Sequence, residues 1–201
     1  ATAAIPLQLD RQWITIGWLV ESAVLLYLSV KVQFAFLRYL AVAALILGIG
    51  RLLVYDRFHT EMLVFNPRFA TYSIAVAVLA GIVILGKRHA TEQEMPFLQV
   101  ASVALNVLAL LALTLEASDY FQRSMAASYQ NVQFGSRYAQ LRLAREFSYS
   151  VIWLVYGVAL MVVGFWRRSP LVRWQSLVLI AVTIVKVFLY DVSALQQGYR
   201  I

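Results

Sequence analysis

No cysteine occurs anywhere in the 201 residues, and that one absence removes a disulfide framework, a thiolate zinc site and a thiol nucleophile together. Charge is scarce too. Asp, Glu, Lys and Arg make up 13% of the chain, about half the share of a soluble domain. Motifs of hydrolases, zinc proteases, P-loop enzymes and dinucleotide-binding folds are all missing. No catalytic residue, metal ligand or cofactor is therefore assigned. What is present is apolar: 62% of residues are hydrophobic, with a mean hydropathy of +0.73. A soluble domain of this length has too little interior to hide so much apolar surface. The reading that follows is an all-α, polytopic membrane protein.

A hydrocarbon core needs about 20 apolar residues of helix. Six such runs are present, at 12–30, 37–55, 69–86, 96–116, 149–166 and 171–190. Backbone groups in lipid must bond within their own segment, so each run is expected to be a helix. Pro67 and Pro96 fall at or just before helix starts, where proline is tolerated.

The loops set the threading. Lys31, Arg38, Lys87, Arg88, Arg167, Arg168 and Arg173 crowd three short loops on one side. Eight cations are spread much more thinly over 1–11, 56–68, 117–148 and 191–201 on the other. The dense side is expected to be cytoplasmic, which puts both chain ends on the non-cytoplasmic face. The net charge of +7 is scattered between apolar runs rather than gathered in a stripe. That suits anionic lipid headgroups and gives no ground for a nucleic-acid partner. His59 and His89 fall on opposite sides in this threading and cannot share a metal or haem.

One phrase is written twice, "RLLVYD" at 51–56 and "KVFLYD" at 186–191. Sliding 18–56 by 135 residues onto 153–191 needs no gap. Trp18, Leu19, Val20, Leu25, Arg38, Ile49, Tyr55 and Asp56 then meet identical residues, Arg51 meets Lys186 and Tyr39 meets Trp174. Apolar matches are cheap in membrane sequences, but the Trp, loop Arg and Tyr-Asp matches in one register are not. The expectation is a parallel repeat of spans 1–2 and 5–6 in a single transmembrane domain (1–201). Repeat A covers 18–56 and repeat B 153–191, around a central hairpin at 69–116.

Few polar residues lie inside the runs. Glu21 sits mid-span, where an ionised carboxylate is costly and usually functional. Asn106 could hydrogen-bond to it. Arg51 and Lys186 lie about one turn from the outer surface, and the depth difference from Glu21 is within an arginine's reach. Two readings stand: Glu21 pairs with Arg51 or Lys186, or both cations snorkel outward toward helix C-terminal carbonyls. The repeated phrase reads most simply as a membrane-exit signal, with Tyr at the interface and Asp ending the span. A sharper reading makes Tyr55, Asp56, Tyr190 and Asp191 twin corners of one polar mouth, with Glu116, Asp119 and Arg68 between. The long segment 117–148 has Phe134, Tyr138, Leu141 and Arg145 at helical spacing and is expected to form one or two amphipathic, interfacial helices, with Gly135 as the candidate separator if there are two.

The strings "WLVESAVLLYLSV", "NPRF", "LTLEASDYF" and "IWLVYGVALMVVGFWRRSPLVRWQSLVLIAVTIVKVFLYD" through the terminal "YRI" resemble a family of large bacterial multi-spanning membrane proteins, the domain of unknown function numbered twenty-three thirty-nine. The resemblance implies a bacterial inner-membrane location and longer relatives, of which this chain would be one slice; the abrupt ends agree. It carries no activity to transfer. Three functions remain open at this point. The chain is a non-enzymatic module or subunit packed against the lipid bilayer and further membrane spans, part of a transport or export path for a small polar or lipid-like ligand, or an enzyme of the outer leaflet.

Overall fold

The computed structural model describes residues 11–32, 34–54, 67–89, 95–128 and 134–191. Every regular element among them is helical. The helices are α1 (Arg11–Val32), α2 (Ala35–Val54), α3 (Pro67–His89), α4 (Met95–Ser128), α5 (Phe134–Trp166) and α6 (Pro170–Lys186). A π-helical turn, Val187–Asp191, extends α6. Five of the six are long and apolar enough to cross a membrane. In α1 the apolar stretch is the shorter Trp13–Ser29, because Arg11 and Lys31 stand at the ends of the helix. Pro67, Pro96 and Pro170 occupy the first or second position of their helices, where a missing N–H leaves no bond unmade.

Two compact units divide the chain, Ala1–Ala112 and Leu113–Ile201. In the first unit α1 packs along α2 and also against α3. Its buried positions on α1 are Thr15, Leu19, Ser22, Leu26 and Ser29, alternating steps of four and three residues. Those on α2 are Ala41, Leu45, Gly48 and Leu52, with the same alternation. This is heptad spacing, the pattern of helices that pack nearly aligned. Small residues take every seventh place, so the backbones approach closely. A Cβ added at Gly48 would lie 3.2 Å from Leu19 Cδ2. The Ser22 hydroxyl crosses the seam and donates to Ala41 O at 2.9 Å.

The second unit repeats the arrangement. On α5 the buried positions are Ser150, Gly157 and Gly164, again seven apart, facing Ser176 and Thr183 of α6. A Cβ at Gly157 would come within 2.9 Å of Ile180 Cγ1, and one at Gly164 within 3.0 Å of the Arg173 backbone nitrogen. In the 135-residue register Thr15, Ser22 and Ser29 fall on Ser150, Gly157 and Gly164. Ala41 and Gly48 fall on Ser176 and Thr183, and Ala35 at the start of α2 on Pro170 at the start of α6. Both hairpins thus bury small residues at the same register positions, while the large ones differ: Leu19 is buried and its counterpart Leu154 is exposed. The seam hydroxyls are satisfied at home or across it: Thr183 donates to Leu179 O at 2.8 Å, and Ser176 to Arg173 O at 2.7 Å and Met161 Sδ at 3.3 Å. Outside the seam α6 is open, with 11% of its apolar window buried, so its remaining surface belongs to lipid or to other spans.

The turn between α5 and α6 is tight. Ser169 N–H donates to Gly164 O at 3.0 Å and Arg168 N–H to Phe165 O at 3.1 Å. Arg168 has φ +50°. These are the two bonds and the left-handed residue of a Schellman C-cap, with arginine where glycine is usual. An L-residue in that conformation costs about 1 kcal/mol. Arg168→Gly is therefore expected to stabilise the hairpin by up to about 1 kcal/mol, read as a raised Tm of the purified protein in detergent.

The segment 117–148 differs from expectation. Residues 117–128 continue α4 without a break, and 134–148 form the first half of α5. Neither 97–128 nor 136–156 contains glycine or proline, so nothing stops the helices at the edge of an apolar run. Gly135 is the second residue of α5, and the interval 129–133 lies outside the described residues. At 34 and 33 residues, α4 and α5 are each about 50 Å long. They outrun a hydrocarbon core by about 20 Å.

Candidate functional site

The polar side chains of the second unit gather where α6 ends against the middle of α5. Lys186 closes α6, and the following π turn, with its wider coil, leaves Phe188, Leu189 and Tyr190 exposed. The Lys186 side chain runs to α5 instead. Its Nζ donates to Ser150 Oγ at 2.9 Å and to Glu146 O at 3.1 Å. The Ser150 hydroxyl donates to the same carbonyl at 3.5 Å. Ser150 and Glu146 are four residues apart and so stack on one face of α5. Beside them Arg145 pairs with Glu146 Oε1 at 2.9 Å. One turn further along α5, Trp153 Nε1 donates to Thr114 Oγ1 on α4 at 3.1 Å.

This arrangement holds a cation by neutral acceptors. A carbonyl and a hydroxyl offer their negative ends to an ammonium in a partly buried place, where such dipoles count for more than in water. The chemistry available is fixation of helix register and of one positive charge. The cluster presents no activated nucleophile and no paired acid and base.

Lys186 Nζ thus reaches oxygen atoms of α5, although its place near the span end suggested a side chain turned outward. The reason is the unbroken α5. Because the helix starts at Phe134, Glu146 and Ser150 stand beside the end of α6 rather than in a connector. Glu146, Ser150, Trp153 and Thr114 are the participants that sequence reasoning missed. Ser150 was legible, since it lies seven residues before Gly157 and fourteen before Gly164.

The other candidates distribute as follows. Glu21 is at the centre of α1 on its exposed side. Among the described contacts no hydrogen bond or ion pair reaches its carboxylate, and the pair with Arg51 is absent. Arg51 is half-buried in the last turn of α2, and Asn106 is half-buried in α4; both belong to the first unit, as Glu21 does. Glu116 and Asp119 are half-buried in the part of α4 that belongs to the second unit. Tyr190 is 69% exposed and Asp191 ends the π turn. Tyr55 and Asp56 lie outside the described residues. Arg68 is half-buried near the start of α3.

No curated protein and no solved structure matches the chain. A family profile does: that of the predicted membrane protein family DUF2339 matches residues 32–201. The match spans α2 to the end of the chain and takes in the second hairpin, the Lys186 cluster and the π turn. With five helices fit to cross a bilayer and a match over most of its length, the chain belongs to the DUF2339 predicted membrane proteins.

Proposed function

We propose that the chain is a non-enzymatic helical module of the bacterial inner membrane, built from two copies of one hairpin, that docks through α1 onto a further membrane span. The single observation behind this reading is Glu21. It stands at mid-helix on an exposed stripe, Gly17, Val20, Glu21, Val24 and Leu28, at offsets of 3, 4, 7 and 11 residues from Gly17 that keep to one helix face. Carboxylates at that depth face protein or water, not lipid. Gly17 has nothing within 4 Å of where its Cβ would be, so a neighbouring backbone has room to approach closely beside the acid. A helix offering a basic or amide side chain at that depth completes the contact.

The duplication is supported by the ten small, buried seam residues that coincide at the 135-residue offset. The docking is tested by placing photoreactive benzoylphenylalanine at Val24, one turn from Glu21, in the chain as it exists in its native membrane. Irradiation is expected to give a protein adduct, reduced at least several-fold by Glu21→Leu. Adducts to lipid alone, with Glu21 intact, would remove the reading.

A further inference from the structure

A groove of about 360 Å³ opens on the outward side of the α5–α6 hairpin, near its tight turn. Met161, Phe165, Pro170, Arg173, Trp174 and Leu177 line it. The walls are apolar except for one guanidinium. Arg173 lies over the Phe165 ring, its Cζ 5.4 Å from the centroid. Gly164 lets the first turn of α6 press against α5 at this point, which fixes the stem of Arg173. The ring cannot accept all of the guanidinium's N–H groups, which leaves donors for an anionic acceptor. Among the described contacts those donors meet no protein oxygen.

The surroundings state what the acceptor is. Arg167 and Arg168 are exposed on the adjoining turn, and residues 164–177 include no Asp or Glu. Three cations without a compensating acid call for an anion. Phe165, Trp166 and Trp174 are exposed by 61%, 84% and 68%, as aromatic side chains are at the level of lipid headgroups. Below them Met161 and Leu177 continue the groove as an apolar surface. An anion with an apolar tail fits this sequence of surfaces, and a free anion fits only its upper end.

We propose that the groove is a binding site for one anionic phospholipid of the adjacent leaflet, its phosphate on the Arg173 guanidinium and one acyl chain along Met161 and Leu177. The site is independent of the α1 docking face, and its test reads neither Glu21 nor a protein partner.

Trp174 supplies the probe. The purified full chain is placed in vesicles of phosphatidylcholine containing brominated phosphatidylglycerol or, in parallel, brominated phosphatidylcholine. Quenching at Trp174 is taken as the difference from Trp174→Phe. The expected result is about fivefold preference for the anionic lipid at equal mole fraction, the effect of one well-placed cation. Arg173→Gln abolishes the preference, Arg173→Lys retains part of it, and Arg38→Gln on the other hairpin leaves it intact. Equal quenching by the two lipids overturns the proposal. So does a preference that survives Arg173→Gln, which would mean diffuse attraction to the loop. If Arg173→Gln does not fold, Leu177→Phe narrows the groove with every charge kept. An unchanged preference there overturns the acyl-chain placement and with it the site.

Discussion

Gly157→Leu is expected to split the second hairpin. The added side chain begins 2.9 Å from Ile180 Cγ1, in a seam with no slack. Overpacking of a well-fitted interior costs about 1–3 kcal/mol. Here the upper end is expected, because lipid supplies no hydrophobic drive to hold the helices together once contact is lost. The same enlargement at the register mate, Ser22→Leu, should damage the first hairpin comparably. It also removes the hydroxyl that donates to Ala41 O. Reversible unfolding in mixed detergent, followed by helix content, measures both. A leucine placed at Val158, beside Gly157 but exposed, is the control and should change little. If Gly157→Leu matches that control, the seam does not hold α5 to α6.

Lys186 gives the second large effect, and its sign is decided by what faces the side chain. Replacing the ammonium with a carboxylate, Lys186→Glu, sets an anion against the Glu146 carbonyl and the Ser150 oxygen. An unsatisfied buried charge costs more than the about 1–3 kcal/mol of a neutral orphan, so the loss is put at about 3 kcal/mol. Lys186→Met keeps most of the stem and removes the charge with its desolvation cost. That change is expected to cost about 1 kcal/mol or less. The same unfolding titration separates them. A lysine that merely snorkelled to water would give two small and similar effects.

Much of the architecture was readable from residue order. Every apolar run became a helix, and Pro67 and Pro96 marked where two of them start. The seam was half readable. Its ten positions stand in plain register in the chain, but matching identities hides them, since Ser22 and Gly157 are alike only in size. The Lys186 cluster was hidden for another reason. Hydropathy marks where a chain leaves lipid, and Glu146 sits beyond that mark. A helix stops only where its backbone bonding stops, and α5 has no glycine or proline there to stop it. The π turn carries no local signature at all: "VFLYD" reads as the tail of a span. Glu21 was singled out for its depth, yet depth alone did not say that the carboxylate would point away from α2.

The glycine and hydroxyl seams invert the usual map of mutational tolerance. In a water-soluble domain, trading one apolar residue for another is riskiest inside and polar exchange is safest outside. In these hairpins a swap among valine, leucine and isoleucine on outward faces that neither a partner span nor the groove covers meets only fluid hydrocarbon. One extra methyl group at position 157 or 164 meets a neighbouring helix. Molecular volume, rather than polarity, is the coordinate along which this protein is fragile.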